Sequence, residues 1–171
     1  MIGSSRDCEW LRVGTSECDR ESPLASHLIV NPTEQQNVLF SSSETDYLKT
    51  QKLARIATSS QLGVPEVSPV GFEFDGRYFW IGSHSQDIFS RTRRYRNITK
   101  GNHRVSIVID DLVSVNPWRP RGIKVSGIAE VMEHDGIFGK GKYFRIAPKA
   151  TVSWGIEPST KGQWMSSKRW E

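Results

Sequence analysis

Six short segments of strand-like composition, separated by turn signals, constrain the fold of this chain more than any other feature. They are rich in β-branched and aromatic residues, and two of them are joined by Asp75-Gly76, a typical hairpin signal. The predicted strands lie at 52–60, 66–74, 77–83, 104–110, 122–133 and 143–156. Short strands joined by hairpins favour a small antiparallel β-barrel around one core.

Two short helices are expected among these strands. The segment 41–44 reads Ser-Ser-Ser-Glu, which has the spacing of a capping box, and a helix at about 44–51 follows it. Residues 87–97 have helical spacing, and Gly101 with Asn102 ends that helix. Gly127 predicts a bulge in its strand, and Pro69, which has no N–H group, predicts an edge position or a bulge.

The domain organisation follows from where this pattern begins and ends. Residues 1–40 show no sustained period and are predicted to be a flexible N-terminal extension. Residues 41–157 form the predicted domain, and residues 158–171 are a polar C-terminal tail. The mean hydropathy is −0.49 and the apolar runs are short, so no membrane span is expected. Because no apolar segment flanked by Arg or Lys is present near the N-terminus, no secretory signal is expected, and a cytoplasmic location is the default.

Charge is distributed unevenly along the chain. Residues 1–44 hold three Lys or Arg against seven Asp or Glu, whereas residues 45–171 hold twenty against twelve. The segment Arg91–Arg104 alone carries six Lys or Arg and no acidic residue. An anionic partner is therefore expected, and composition leaves open a cofactor phosphate, a nucleic-acid backbone or only solvent.

Motifs for several enzyme classes are absent from the sequence. No glycine-rich nucleotide loop, zinc-protease helix or nucleophile elbow is present. The two cysteines, Cys8 and Cys18, and the four scattered histidines show no metal-ligand spacing. Neither a metal site nor a catalytic residue is predicted.

Three further features have more than one interpretation. Trp118, in a proline-rich segment, could stack on a planar ligand or pack within its loop. Trp154, near the end of the last strand, could belong to the core or cover a pocket mouth. Asp110 and Asp111 are expected to pair with neighbouring arginines rather than to act in catalysis.

The segments just described resemble the pyridoxamine 5'-phosphate oxidase-like split-barrel flavoproteins, in particular their branch of deazaflavin-dependent enzymes. The resemblance covers about residues 43–157, and its most specific stretch is "DDLVSVNPWRPRGI". The other segments, "RTRRYRNI" among them, are typical of the family but less specific. It implies a mainly β fold, a six-stranded antiparallel split β-barrel with two short helices. It also implies a homodimer with FMN-type or coenzyme F420 sites at the interface, and an oxidoreductase acting on a small organic substrate.

The resemblance also implies a set of cofactor-binding residues. The phosphate would meet the pair Arg93 and Arg94, preceded by Thr92, together with a strand end. The ring would lie along two neighbouring strands, and two tryptophans would approach from the second protomer. Beyond Thr92, Arg93 and Arg94, the set comprises Ser83, His84, Ser68, Pro69, Val70, Ala57, Thr58, Trp118 and Trp154.

Departures from the family pattern limit which function is expected, and two other interpretations stay open. Asn102-His103 stands where the family often has proline, and no pyridoxal-binding positions match, so vitamin B6 oxidation is not expected. The acidic tail of the deazaflavin would favour extra basic residues along a groove, for which the sequence offers Arg119, Arg121 and Lys124. A non-catalytic flavin or haem carrier and a single-strand nucleic-acid-binding barrel remain the alternatives.

Overall fold

The computed structural model describes residues 39–157 and 165–169. The predicted extension therefore lies outside the described residues up to residue 38, and its flexibility stays a prediction. Phe40, which the sequence assigns to that extension, is buried and belongs to the hydrophobic core. Of the predicted polar tail, only 165–169 are described.

Three helices and eight strands occur within the described residues. The helices are α1 (Ser42–Thr50), α2 (Gln86–Arg91) and α3 (Arg93–Thr99). The strands are β1 (Leu53–Ser59), β2 (Pro65–Gly71), β3 (Glu73–Phe74), β4 (Phe79–Ile81), β5 (Arg104–Ser114), β6 (Arg119–Gly136), β7 (Gly139–Trp154) and β8 (Met165–Arg169). None of the described helices is long and apolar enough to span a membrane.

The mainly β, antiparallel fold is confirmed, but the predicted number of six strands is wrong. All eight strands join one sheet in the order β2-β1-β5-β6-β7-β4-β3, with β8 also paired to β7. The order is an open path, because β2 and β3 at its two ends do not pair with each other. The two additional strands arise from the division of the predicted segment 66–74 and from β8.

The division of segment 66–74 explains how the sheet curls. β2 pairs with β1, and β3, only one residue further along the chain, pairs with β4 at the other end of the strand order. Phe72 is the residue between them, and it is 2% exposed. Chain connectivity therefore brings the two ends of the sheet together at Phe72 without a hydrogen-bonded ladder between them.

The single helix predicted at 87–97 is also corrected, because the chain interrupts it at Thr92. Thr92 has an extended backbone (φ −64°, ψ 153°) and caps α3, its Oγ1 accepting a hydrogen bond from the Tyr95 N–H at 3.2 Å. A residue that caps one helix cannot continue the preceding one.

Several local predictions are confirmed. Ser41 and Glu44 form a reciprocal capping box at the start of α1. Asp75 turns the chain between β3 and β4, its Oδ1 accepting hydrogen bonds from two backbone N–H groups, and Gly76 adopts the left-handed conformation (φ 98°). The register between β6 and β7 shifts at Gly127, and Pro69 lies on the edge strand β2.

Alternation along the strands divides the sheet into two faces. The core face carries buried side chains such as Ala54 and Ile56 on β1 and Ile107 on β5. The outer face carries their neighbours, including Leu53 and Ala57 on β1. Residues from β2, β5, β6 and β7 that pair with these in register extend the outer face across the sheet.

Strand β8 is attached to the domain by a buried carboxylate. Glu44 is 1% exposed, and its side chain accepts hydrogen bonds from Lys168 Nζ at 2.7 Å, Ser153 Oγ at 2.6 Å and the Ser41 N–H at 2.9 Å. Burial alone would raise the pKa of Glu44, but these donors outweigh burial and hold the pKa below its ordinary value. Sequence patterning gave no sign of this strand, because the pair joins residues 124 positions apart.

Replacing Lys168 by methionine keeps an apolar stem and removes the charge that Glu44 faces. We expect a loss of about 1–3 kcal/mol in the free energy of unfolding at pH 7, because a buried carboxylate loses its cation while Lys168 itself is partly solvated. Urea denaturation measures this loss, with Lys140→Met, an exposed lysine, as the control.

The pH dependence gives this prediction a second readout. Because the folded-state pKa of Glu44 is lowered, its stabilising contribution is complete above the unfolded value of 4.5 and is lost as the pH falls through the folded value. The difference between the native chain and Lys168→Met should therefore shrink on acidification. A difference that is absent at pH 7, or unchanged at low pH, would show that the pair does not attach β8.

Candidate functional site

A half-buried arginine on α3 is the most distinctive polar group in the described part of the chain. Arg94 reaches from α3 to β2, where its Nη1 donates to Ser68 Oγ at 3.3 Å. Its Nε is buried and has no hydrogen-bond partner among the described residues. Burial lowers the pKa of the Arg94 guanidinium, and the nearby Glu66 carboxylate partly offsets this. The arginine therefore has unused donors in a partly desolvated position.

A hydrogen-bonded chain holds the strands beneath Arg94. Thr58 on β1 is 4% exposed, and its Oγ1 donates to Glu66 Oε2 at 3.0 Å and accepts from Asn97 Nδ2 at 2.9 Å. This chain links β1, β2 and α3 through three side chains. Thr58 was predicted to lie along the cofactor ring, but its hydroxyl is used inside the protein, and this side chain serves to position α3.

The other two residues of the predicted phosphate motif differ in their roles. Thr92 Oγ1 donates to the Phe89 carbonyl at 2.8 Å and accepts the capping bond, so it fixes the start of α3. Arg93 is exposed and lines a groove of about 340 Å³ between α3 and the turn after β1. Arg96 and Lys100 line the same groove, and no acidic residue does.

Ser83 and His84 lie in the turn between β4 and α2. Ser83 Oγ accepts from the Ser85 N–H at 3.3 Å, and the exposed His84 packs edge-on against the Phe138 ring at 4.5 Å. Among the described residues, neither side chain is hydrogen-bonded to Arg94, whose donor contact is with Ser68. Phe138 also lies against Gly71, where a Cβ atom would approach its ring to 2.8 Å, so His84 is placed near the end of β2.

The residues predicted to line the cofactor ring fall on both faces of the sheet. Ser68 and Val70 lie on the side of β2 that faces the core and α3, and Val70 is 6% exposed. Ala57 and Pro69 lie on the outer face. The structure therefore brings together Thr58, Ser68 and Arg94 but leaves Ala57 on the other side of the same two strands. A ligand that contacts both Arg94 on one side and Ala57 on the other must extend around the edge strand β2.

The two predicted tryptophans occupy different surroundings. Trp118 lies in the turn between β5 and β6 and is 65% exposed, so it is free to contact a ligand or a second protomer. Trp154 pairs with Gly122 across β6 and β7, and a Cβ atom at Gly122 would come within 2.5 Å of its ring. The space for the Trp154 ring thus depends on a glycine that sequence reasoning did not single out.

The paired aspartates are used for structure, as predicted. Asp110 forms an ion pair with Arg55, and Asp111 binds Arg121 through both carboxylate oxygens, at 2.7 and 3.0 Å. The Arg121 hydrogen bonds lower the pKa of Asp111. Arg121 is consequently engaged, which removes it from the three basic residues proposed for an acidic tail. Within the described ranges, no group of three or more His, Cys, Asp or Glu could hold a metal ion.

The aromatic residue within the basic segment does not favour nucleic-acid binding. Tyr95 is half-buried, and its ring packs against Phe89 at 5.4 Å and Phe144 at 6.0 Å. Single-strand binding needs exposed aromatic rings between the basic residues, on which bases can stack. Tyr95 is turned into the core and does not provide such a ring.

A second cavity on the outer face was missed in the sequence. It has a volume of about 610 Å³ and includes Ala57 together with Arg104, Ser106, Ser126 and Lys149. These residues come from four different strands or strand ends, and only the register of the sheet places them together. Small residues at alternate positions of β1, β5 and β6 could have indicated this cavity. They do so only when the pairing of the strands is known, because the pairing places them next to one another.

Comparison with known proteins decides the family. The family model described as pyridoxamine 5'-phosphate oxidase matches residues 44–164. The chain belongs to the pyridoxamine 5'-phosphate oxidase family. The resemblance inferred from the sequence is therefore confirmed. The matched residues include α2, α3, strands β1–β7 and all of α1 except its first two residues.

One curated protein is similar to this chain in sequence. The 5a,11a-dehydrotetracycline/5a,11a-dehydrooxytetracycline reductase of Streptomyces rimosus is 34% identical over 122 residues, which cover 69% of this chain and 84% of the relative. Solved structures agree in fold. A conserved hypothetical protein from Mycobacterium tuberculosis has a TM-score of 0.53 at 17% identity, covering 75% of this chain and 96% of that one. A heme binding protein from Mycobacterium smegmatis has a TM-score of 0.54 at 17% identity, covering 76% of this chain and 58% of that one.

The chemistry of Arg94 fits the phosphate group that a flavin-type cofactor carries. An arginine binds phosphate oxygens through a planar fork of N–H donors, and Arg94 has such donors unused, next to the hydroxyl of Ser68. Without a bound anion, the partly buried charge is costly. The unused donors of Arg94 and the neighbouring Ser68 hydroxyl therefore suit a bound anion.

Replacing Arg94 by methionine should have opposite effects in the presence and absence of an anion. Without ligand, we expect the variant to be as stable as the native chain or slightly more stable, because a desolvated charge is removed. With millimolar inorganic phosphate, only the native chain should gain thermal stability, since ligand binding to the folded state raises its stability by mass action. Differential scanning fluorimetry over a phosphate titration measures both effects.

The control for this experiment is Arg91→Met, which removes a nearby arginine already paired with Asp87 at 2.9 Å. Chloride at equal ionic strength separates specific binding from screening. Equal phosphate stabilisation of the native chain and Arg94→Met would rule out Arg94 as the anion site.

Proposed function

We propose that this protein is an oxidoreductase that uses FMN or the deazaflavin coenzyme F420 to reduce a small organic substrate. The observation that carries the proposal is the partly buried Arg94 with its unpartnered Nε beside Ser68, in a member of the pyridoxamine 5'-phosphate oxidase family. A reductase that is 34% identical over most of its own length supports the reaction class.

The roles of the side chains follow from their positions. Arg94 and Ser68 would hold the cofactor phosphate, and Thr92 and Asn97 would position α3 so that Arg94 reaches β2. Val70, Pro69 and Ala57 would line the ring around the edge strand. When bound, such a cofactor supplies hydride transfer to a substrate stacked on its ring. The protein would then contribute orientation, charge neutralisation and exclusion of water.

A homodimer completes this proposal. The outer face exposes Leu53 at 54% and Val67 at 65%, two apolar side chains on the neighbouring strands β1 and β2. Exposed apolar surface of this kind is typical of a protein interface. A second protomer packed near this face would bring the exposed Trp118 and the half-exposed Trp154 within reach of its partner's cofactor site.

Titration with each cofactor tests the proposal directly. We expect one of FMN and coenzyme F420 to bind with a dissociation constant on the order of micromolar, measured by the fluorescence of the cofactor ring. Arg94→Ala should weaken this binding by about tenfold or more, because a charge-assisted bidentate contact is lost. Arg94→Lys should recover part of the affinity, since it restores the charge but not the fork. Arg91→Ala is the matched control.

No binding of either cofactor to the folded native chain would overturn the proposed function. Haem binding in its place would favour the carrier alternative. Cofactor that is retained by the protein but fails to reduce any acceptor would also favour a carrier.

Variants of the groove beside α3 would distinguish binding of coenzyme F420 from binding of FMN. Arg93, Arg96 and Lys100 line it without an acidic neighbour, and the deazaflavin has an acidic tail that FMN lacks. We expect Arg96→Gln with Lys100→Gln to weaken deazaflavin binding by about fivefold and to leave FMN binding unchanged, because solvent-exposed charge pairs each contribute little. Lys140→Gln is the control, and an equal effect on both cofactors would exclude a tail site in this groove.

A further inference from the structure

The cavity on the outer face has a flat floor made of small side chains. Ala57, Ser106 and Ser126 lie side by side on three adjacent strands, because Ala57 pairs with Ser106 and Ser106 pairs with Ser126. The two serine hydroxyls hydrogen-bond to each other at 3.2 Å. With no large side chain rising from these positions, a planar molecule can lie against the sheet.

The rim of the same cavity is positively charged and partly apolar. Arg104 and Lys149 are exposed, and neither makes a side-chain hydrogen bond or ion pair within the described part of the chain. No Asp or Glu is among the residues that line the cavity. Ile128, which is 37% exposed, adds an apolar wall. The cavity thus has two cationic side chains without an acidic partner at its rim, and only small uncharged side chains at its base.

We propose that this cavity binds the substrate, and that the substrate is a planar ring compound carrying an oxygen anion such as a carboxylate or an enolate. The inference rests on the proposed function, and it specifies the substrate class. The guanidinium of Arg104 suits a planar oxyanion, because its N–H donors lie in one plane, and Lys149 adds a second charge. The volume of about 610 Å³ is that of a site for a ring-bearing small molecule.

The position of the cavity agrees with this role. Ala57 belongs both to the cavity and to the residues expected along the cofactor ring, so a substrate lying here is close to the edge strand around which the cofactor would pass. The Arg94 site is on the other side of β1 and β2. Cofactor phosphate and substrate anion therefore use different cations and can be tested separately.

A matched pair of probes tests the charge requirement. Anthracene-2-carboxylate and its uncharged carboxamide have the same ring system, and binding of each to the full chain is measured by anthracene fluorescence and by calorimetry. We expect the carboxylate to bind at least about tenfold more tightly than the amide, because hydrogen bonds to charged groups are the stronger ones. Arg104→Gln and Lys149→Gln should each remove most of that preference, whereas Lys140→Gln should not.

A second variant tests the floor independently of charge. Ser126→Leu places a branched side chain in the cavity, and it should weaken binding of both probes without changing cofactor affinity. Cofactor titrations of all variants are the companion measurement, since Arg104 and Lys149 lie apart from Arg94. Cofactor binding that stays normal while the cavity variants lose the probe is the result expected from two separate sites.

Each of the following outcomes would overturn the inference about the cavity. None of them decides the proposed function, which the cofactor titrations test separately. Equal affinity for carboxylate and amide, or no effect of Arg104→Gln and Lys149→Gln, would show that the cavity does not select an anion. Loss of probe binding only in Arg94→Ala would place the probe in the cofactor site. No probe binding to a chain that sediments as a dimer and binds cofactor would show that the partner subunit fills the cavity.

Discussion

The structure depends on the way in which the chain passes from one end of the sheet to the other at Phe72. β2 and β3 are separated by this single residue, yet they occupy opposite ends of the strand order. The sheet must therefore curl until its two ends are adjacent, and the side chain that fills the junction has to be apolar. Phe72 meets this demand with its ring 5.9 Å from that of Phe79, and Phe79 also packs against Phe74 at 4.7 Å. Aromatic packing closes the curl where hydrogen bonds between strands do not.

This closure makes β2 an edge strand with two accessible sides, and the candidate site follows from that. On the core side, Ser68 faces Arg94 on α3, and on the outer side Pro69 and Ala57 lead to the large cavity. Pro69 can occupy β2 because an edge strand does not need every N–H group for pairing. An interior strand could not present the residues proposed to bind the phosphate and those proposed to line the ring to one ligand, since its neighbours would separate the two sides.

Local chemistry made part of this fold predictable from sequence. The capping box of Ser41 and Glu44, the turn at Asp75-Gly76 and the bulge at Gly127 each depend on a few adjacent residues, and each was found where expected. The helix break at Thr92 was missed because a threonine that caps a helix and one that lies inside it look alike in an apolar pattern.

Features that depend on distant residues could not be predicted from sequence. The strand β8 depends on a buried contact between Glu44 and Lys168, and no period in the sequence reports such a contact. The same holds for the candidate site. The Arg93-Arg94 motif was proposed by resemblance, whereas the hydrogen bond between Asn97 and Thr58 that holds α3 on β1 could not be predicted, because it depends on the packing of these two elements.

The basic segment that dominates the sequence does not form one surface in the structure. Arg91 is paired with Asp87, Arg94 turns inward to β2, and Arg104 lies at the rim of the outer cavity. Arg93, Arg96 and Lys100 share the groove beside α3. Repulsion among these charges is lowered because the break at Thr92 and the start of β5 direct them to separate sides of the domain.

A protein that bound a nucleic-acid backbone would gain by keeping these cations on one face, where they would follow a continuous line of phosphates. Dispersal instead suits several small anionic groups, each with its own cation, as in the proposed phosphate at Arg94, acidic tail beside α3 and substrate anion at Arg104. The separation of the cations therefore argues for a cofactor and a substrate that are recognised independently. It also explains why the composition of the segment alone left its ligand open.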